Sequence, residues 1–263
     1  MKKALGIFVA LCLTILLFTG STVAESEPIV LGFSGPLTGD SADFGEHALY
    51  GAQVAVNQIN ANGAAAKTVT IDGDIFATKL NFGGNGTVAL TDGSDLTAAT
   101  TTSANNTGKL TFNGASTVTG GVGAGAAILN RVNVNGAGKT VTFNNDIFAT
   151  TLNFGGDGIA SFADGADITA ATTTSTNGTG SLTFGGSSTV TGNVGTAASA
   201  LSQVSSNGGA GKTLAFTGNV YATTLHFGGD STVTIADAKT LGANVTTATM
   251  STGTLTFNGS STI

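Results

Sequence analysis

Leu152 and Phe154 stand two residues apart, as do Leu182 and Phe184, and Val141 and Phe143, with Thr, Asn or Ser between and before them. That alternation is the signature of short strands with one apolar face. In the middle of the chain it predicts strands at Thr140–Phe143, Phe148–Phe154, Ile159–Phe162, Ile168–Thr173, Ser181–Phe184 and Thr189–Val194. Between them lie Asn-Asn, Gly-Gly-Asp-Gly, Asp-Gly-Ala-Asp, Asn-Gly-Thr-Gly and Gly-Gly-Ser-Ser. These are turn sequences, because Gly and Asn reach positive φ at low cost.

The pattern is written almost three times. "KTVTIDGDIFATKLNFGG" begins at Lys67, "KTVTFNNDIFATTLNFGG" at Lys139 and "KTLAFTGNVYATTLHFGG" at Lys212, a period of about 72 residues. The third copy ends at "SSTI", where the second has "SSTV" followed by "TGNVG". The copies divide the chain into residues 65–138, 139–211 and 212–263, the last truncated. A short strand with one apolar face cannot bury that face alone, whereas stacked copies can. The expected fold is therefore all-β: a parallel β-helix, or β-solenoid, of tandem 72-residue repeats. Coils of roughly 24 residues would make each copy about three coils, and residues 65–263 about eight rungs. The repeated Phe would stack in an internal ladder, with Thr and Asn coating the outside.

The segment ahead of Ala65 reads differently. Lys2 and Lys3 precede an apolar run, Ala4 to Phe18, and Thr22-Val23-Ala24 offers small residues for cleavage, so residues 1–24 are expected to be a secretory signal peptide. Export puts the mature chain at the cell surface, outside the cell or at the outer membrane, with the periplasm as the alternative. The one cysteine, Cys12, lies inside that run, so the mature chain has neither disulfide nor thiolate metal site. In residues 25–64, Ile29 to Phe33 predicts a buried strand. A loop rich in Gly, Ser, Asp and Pro follows. Ala48, Ala52, Ala55, Val56 and Ile59 then fall at helical spacing, with Asp43 as N-cap and Asn62-Gly63 as stop.

Two resemblances attach to these residues. The strand, "SGP", Phe44-Gly45 and "GAQVAVNQINANG" resemble the first β–α unit of the periplasmic binding proteins for branched-chain amino acids, components of ABC importers. That resemblance implies a small amino acid as ligand, with Ser34 and Phe44 at the edge of its cleft. The chain departs from it after Gly63, where no second amphipathic helix follows. The Gly/Thr/Asn-rich tandem unit resembles the repeat passenger regions of bacterial autotransporter and related surface proteins. This second resemblance implies a surface shaft or adhesin, and a partner on a cell or in the matrix. An open solenoid end adds self-association to the expected partners.

Charge and candidate chemistry change this picture little. Charged residues are 9% of the chain and the formal net charge is −6; without the two leader lysines the 15 acids face 7 bases. Basic residues form no patch, which excludes nucleic acid as the expected partner. "GAGKT" at Gly136 to Thr140 lacks the first glycine of a phosphate-binding loop, where Asn133 stands, and precedes a strand rather than a helix. "FGGDG" is half of a calcium-binding nonapeptide, but Ala160 stands where its Asp is required. Asp157, Asp164 and Asp167 then read as solvated turn residues. The pairs Asp92/Asp95 and Asp164/Asp167 recur because the turn recurs, and His47 and His226 are isolated. No catalytic residue, metal or cofactor is expected. The sequence reads as an exported, non-enzymatic surface protein with a solenoid body; the alternative is the solute-binding component of an amino-acid importer.

Overall fold

The computed structural model describes residues 29–32 and 67–263. The leader, the helix expected over residues 48–59, and Ser34 and Phe44 lie outside them. One strand, β1 (Ile29–Gly32), precedes the repeats, where the sequence predicts it. The first copy holds β2 (Thr68–Asp72), β3 (Ile75–Phe82), β4 (Thr87–Leu90), β5 (Leu96–Thr102), β6 (Thr107–Phe112), β7 (Ser116–Val118) and β8 (Leu129–Val134). The second holds β9 (Thr140–Phe143), β10 (Ile147–Phe154), β11 (Ile159–Phe162), β12 (Ile168–Thr174), β13 (Ser181–Phe184), β14 (Ser188–Thr191) and β15 (Leu201–Ser206). The third holds β16 (Thr213–Phe216), β17 (Val220–Phe227), β18 (Thr232–Ile235), β19 (Leu241–Thr247) and β20 (Thr254–Phe257).

Every strand pairing is parallel, each strand bonding to the next but one in an eleven-stranded and a nine-stranded sheet. The registers resolve these sheets into three sides running along one axis. On side 1, Val69 pairs with Val88, then Leu110, Val132, Leu152 and Thr172. On side 2, Ile75 leads through Leu96, Val118, Phe143, Phe162 and Phe184 to Ser206. On side 3, Leu80 leads through Thr100, Val122, Ile147, Ile168, Val190 and Phe216 to Ile235 and Phe257. The body is thus a three-sided β-solenoid of about 9 turns of ~21 residues. β1 extends it at the start, with Ile29 opposite Val69.

The turn is shorter than the expected coil of roughly 24 residues, because some corners need no loop. β10, β17 and β3 each run across a corner as one strand. In each of them the register slips in mid-strand, between Phe148 and Thr151, Tyr221 and Thr224, and Phe76 and Lys79. A local irregularity of this kind bends a strand without ending it.

The short turn also sets the relation between copies. Three pairing steps carry Val69 to Val132, still on side 1. The counterpart of Val69 in the second copy, Val141, is on side 2 opposite Ser116; in the third it is Leu214, on side 3 opposite Ser188. Each copy therefore advances three turns and a third, and presents its equivalent strand on the next side.

The interior is a single apolar column. Phe112, Phe143, Phe154, Phe162, Phe184 and Phe216 are among its fully buried side chains. The aromatic ladder that the sequence predicts is there, but it joins different strands of one copy rather than equivalent strands of successive copies. Phe143, Phe162 and Phe184 stack at 5.2 and 5.3 Å between ring centroids. Phe112 and Phe216 meet the two ends of that stack edge-on. The equivalent Phe82, Phe154 and Phe227 lie on sides 3, 1 and 2, and each packs against a Gly at positive φ: Gly108, Gly180 and Gly253. A Cβ on Gly180 would come within 2.3 Å of the Phe154 ring, so the glycine serves both the turn and the approach.

Candidate functional surface

A parallel solenoid points alternate side chains outward, and here several of the outward polar groups bond to the adjacent turn. One kind of corner, which falls at a different edge of the solenoid in each copy, is closed by a short chain of Asp or Asn side-chain oxygens. Asp74 accepts the Asp95 N–H at 2.9 Å and Asp95 accepts the Thr117 N–H at 2.6 Å. Asp146 and Asp167 repeat this toward Asp167 and Thr189, and Asn193 and Asn219 toward Asn219 and Thr240. At a second kind of corner Asp92, Asp164 and Asp237 accept the N–H of Ala115, Ser187 and Ser260, each at 2.7 Å. Asp157 and Asp230 accept the N–H of Gly180 and Gly253.

The recurring carboxylate pairs of the sequence are therefore staples between turns. The solvated-turn reading needs correction to that extent: Asp157, Asp164 and Asp167 lie at turns, but each holds a backbone donor of the next turn. Among the described residues no group of three or more His, Cys, Asp or Glu is placed to hold a metal ion. "GAGKT" is the turn before β9, as expected. Its Lys139 reaches Asp92 at 2.8 Å, and Lys212 of the next copy reaches Asp164 at 2.5 Å. These are clamps across two turns, with all four side chains about half exposed. The Lys139 hydrogen bond, helped by the Ala115 N–H, holds the Asp92 carboxyl below its ordinary value of 3.8; Lys212 and the Ser187 N–H do the same for Asp164.

The outer columns of the strands carry hydroxyls and amides. On side 1, Asn133 donates to Thr111 at 3.0 Å, and Thr173 donates to Asn153 at 2.9 Å. On side 3, Thr101 donates to Asn81, which donates in turn to Ser103. On side 2, Gln203 covers Ser205, and His226 shares a hydrogen bond with Thr246 at 3.0 Å. His226 is part of such a column, not of a metal or catalytic cluster. At the corners that follow sides 3, 1 and 2, the equivalent threonines Thr102, Thr174 and Thr247 each pair with the hydroxyl five residues on: Thr107, Thr179 and Thr252.

Ser34 and Phe44 lie outside the described residues, so the described surface consists of these columns and corners. Sequence reading missed the Lys clamps. Their signal is present, since Lys139 and Lys212 recur one copy apart, as do Asp92 and Asp164. The pairing itself, over 47 and 48 residues, becomes visible only once the length of a turn is known. Compared with family models, with curated proteins and with solved structures, the chain matches none.

Proposed function

We propose that the chain is an exported, non-enzymatic surface protein whose solenoid serves as a shaft and adhesin-like passenger region. The observation that carries this reading is where the ionisable groups go. The corner carboxylates accept backbone donors of the neighbouring turn, and Lys139 and Lys212 bridge turns. Their chemistry is directed to holding a column of turns together, as a load-carrying or spacing element requires. The outward columns of Thr, Ser and Asn leave long, polar sides for contact with a cell surface or matrix, and the leader-like residues 1–24 supply the route out of the cell.

Protease treatment of intact cells expressing the chain tests the reading. The solenoid is expected to be removed from the outside while a periplasmic marker survives. Full protection of the chain until the outer membrane is broken would place it in the periplasm and defeat the surface role.

A further inference from the structure

Among the described residues, Lys109 and Arg131 are the one pair of cations that neighbouring turns set side by side. They are in register on side 1, β6 against β8, and each precedes an inward residue, Leu110 and Val132. Lys109 is half-exposed and Arg131 exposed. The two ion pairs of the described residues use Lys139 and Lys212, so neither of these cations has a carboxylate partner there. Like charges opposite one another in a sheet cost stability, and nothing in the described fold offsets that cost. The other copies do not carry it. Ser181 and Gln203 hold the same places, in register, in the second copy, and Thr254 replaces Lys109 in the third.

The turn leading into β6 adds donors. Asn106 accepts at Oδ1 from Asn130 Nδ2 at 3.1 Å and from Thr150 Oγ1 at 2.5 Å. With its acceptor used twice, what the exposed side chain has left is its NH2, a pair of donors. Gly178 and Ser251 stand in its place in the later copies.

We propose that Lys109, Arg131 and the Asn106 amide form an anion site that takes the carboxylate of an acidic glycan. A guanidinium meets a carboxylate with two parallel N–H donors, and the ammonium beside it adds a second charge. Charge density selects the polymer. Polyphosphate or nucleic acid is charged at every unit, and beyond these two cations it would meet neutral columns and the Asp-lined corners of a chain whose formal net charge is −6. A uronic-acid glycan separates its carboxylates by hydroxyl-bearing rings. Thr87 and Thr151 continue the column on either side of the pair with hydroxyls. The site gives the adhesin reading a partner but does not rest on it or on export, because it is read from the pair alone.

The purified full chain is to be passed at low salt over immobilised polygalacturonate, with neutral dextran and polyphosphate as comparison polymers. Wild type is expected to be retained by polygalacturonate and released by salt. Lys109→Ser with Arg131→Gln installs the second copy's own residues and should weaken binding about tenfold or more. Lys79→Thr with Lys239→Ala removes the same charge from two isolated lysines, again with the second copy's residues, and should change binding by less than about twofold. Equal melting temperatures establish that the variants fold. Should the loss variant unfold, Ser181→Lys with Gln203→Arg builds the pair on side 2 instead and should increase retention. The proposal is overturned if wild type passes unretained, if the Lys109/Arg131 variant binds as wild type does, or if the Lys79/Lys239 variant loses as much. Equal retention by dextran, or binding of polyphosphate in place of polygalacturonate, overturns it too.

Discussion

Thr100 and Thr172 occupy the same place in the first two copies, and both turn a hydroxyl into the apolar column. Each residue is 1% exposed, and neither hydroxyl has a hydrogen-bond partner. A buried polar group left unmatched costs about 1–3 kcal/mol, while its apolar isostere costs nothing of that kind. The third copy already carries Val245 at this place. Thr100→Val and Thr172→Val should therefore each stabilise the solenoid by about 1 kcal/mol, read as a higher urea midpoint at unchanged slope. Unchanged or lower midpoints would mean that the hydroxyls have partners after all. Thr102 and Thr174, two residues further on, set the contrast. They also point inward but bond to Thr107 and Thr179 at the corner, and the same substitution there should destabilise.

At the scale of strands and corners, stability is expected to depend on acid through the clamps. Lys139 and Lys212 lower the carboxyls of Asp92 and Asp164 below the ordinary 3.8. A carboxyl depressed on folding contributes stability that is present above its unfolded value and disappears as pH falls through the folded one. The melting temperature should thus decline below about pH 4, and Lys139→Met with Lys212→Met should flatten that decline by lowering the plateau near neutral pH slightly, while the two proteins converge in acid. An identical acid profile in the variant would remove the clamps from the account.

This is also the scale at which the sequence was most legible. The alternation at Thr140–Phe143, Ile159–Phe162 and Ser181–Phe184 coincides with β9, β11 and β13 to the residue. It did not reveal β8 or β15. In β15 the inward Leu201 and Val204 are three apart, so alternation fails where the strand leaves its corner. The expected strand to Val194 ends instead at Thr191, and Val194 makes an isolated bridge on the next side. The staples were half legible. Asp at fixed repeat positions can be read from the chain, but its partner lies one turn on, and the turn length is set by bends the sequence pattern does not mark.

For the whole molecule, removal of one complete copy should be tolerated. Deleting residues 139–211 joins Gly138 to Lys212, so that β16 follows β8 as β9 did. The apolar residues of β16 then fall on the first copy in the register that β9 uses. The shortened chain should retain its strand content and lose about 16 Å of length, at about 4.8 Å for each of three and a third turns, measurable by small-angle scattering. A deletion of about 24 residues, the coil length the repeat first suggests, should not fold, since it shifts inward residues off their neighbours. Survival of the shorter deletion and collapse of the full-copy deletion would reverse the assignment of turns.

The third of a turn left over by each copy makes copy number a rotary setting. Near-identical tandem segments are the substrate of unequal recombination, which adds or drops whole copies. An ordinary length change would move whatever lies beyond the shaft closer or farther. In this solenoid it also swings the distal part by a third of a circle, so two alleles differing by one copy present different flanks to the same neighbour. Alleles differing by three copies face the same way again.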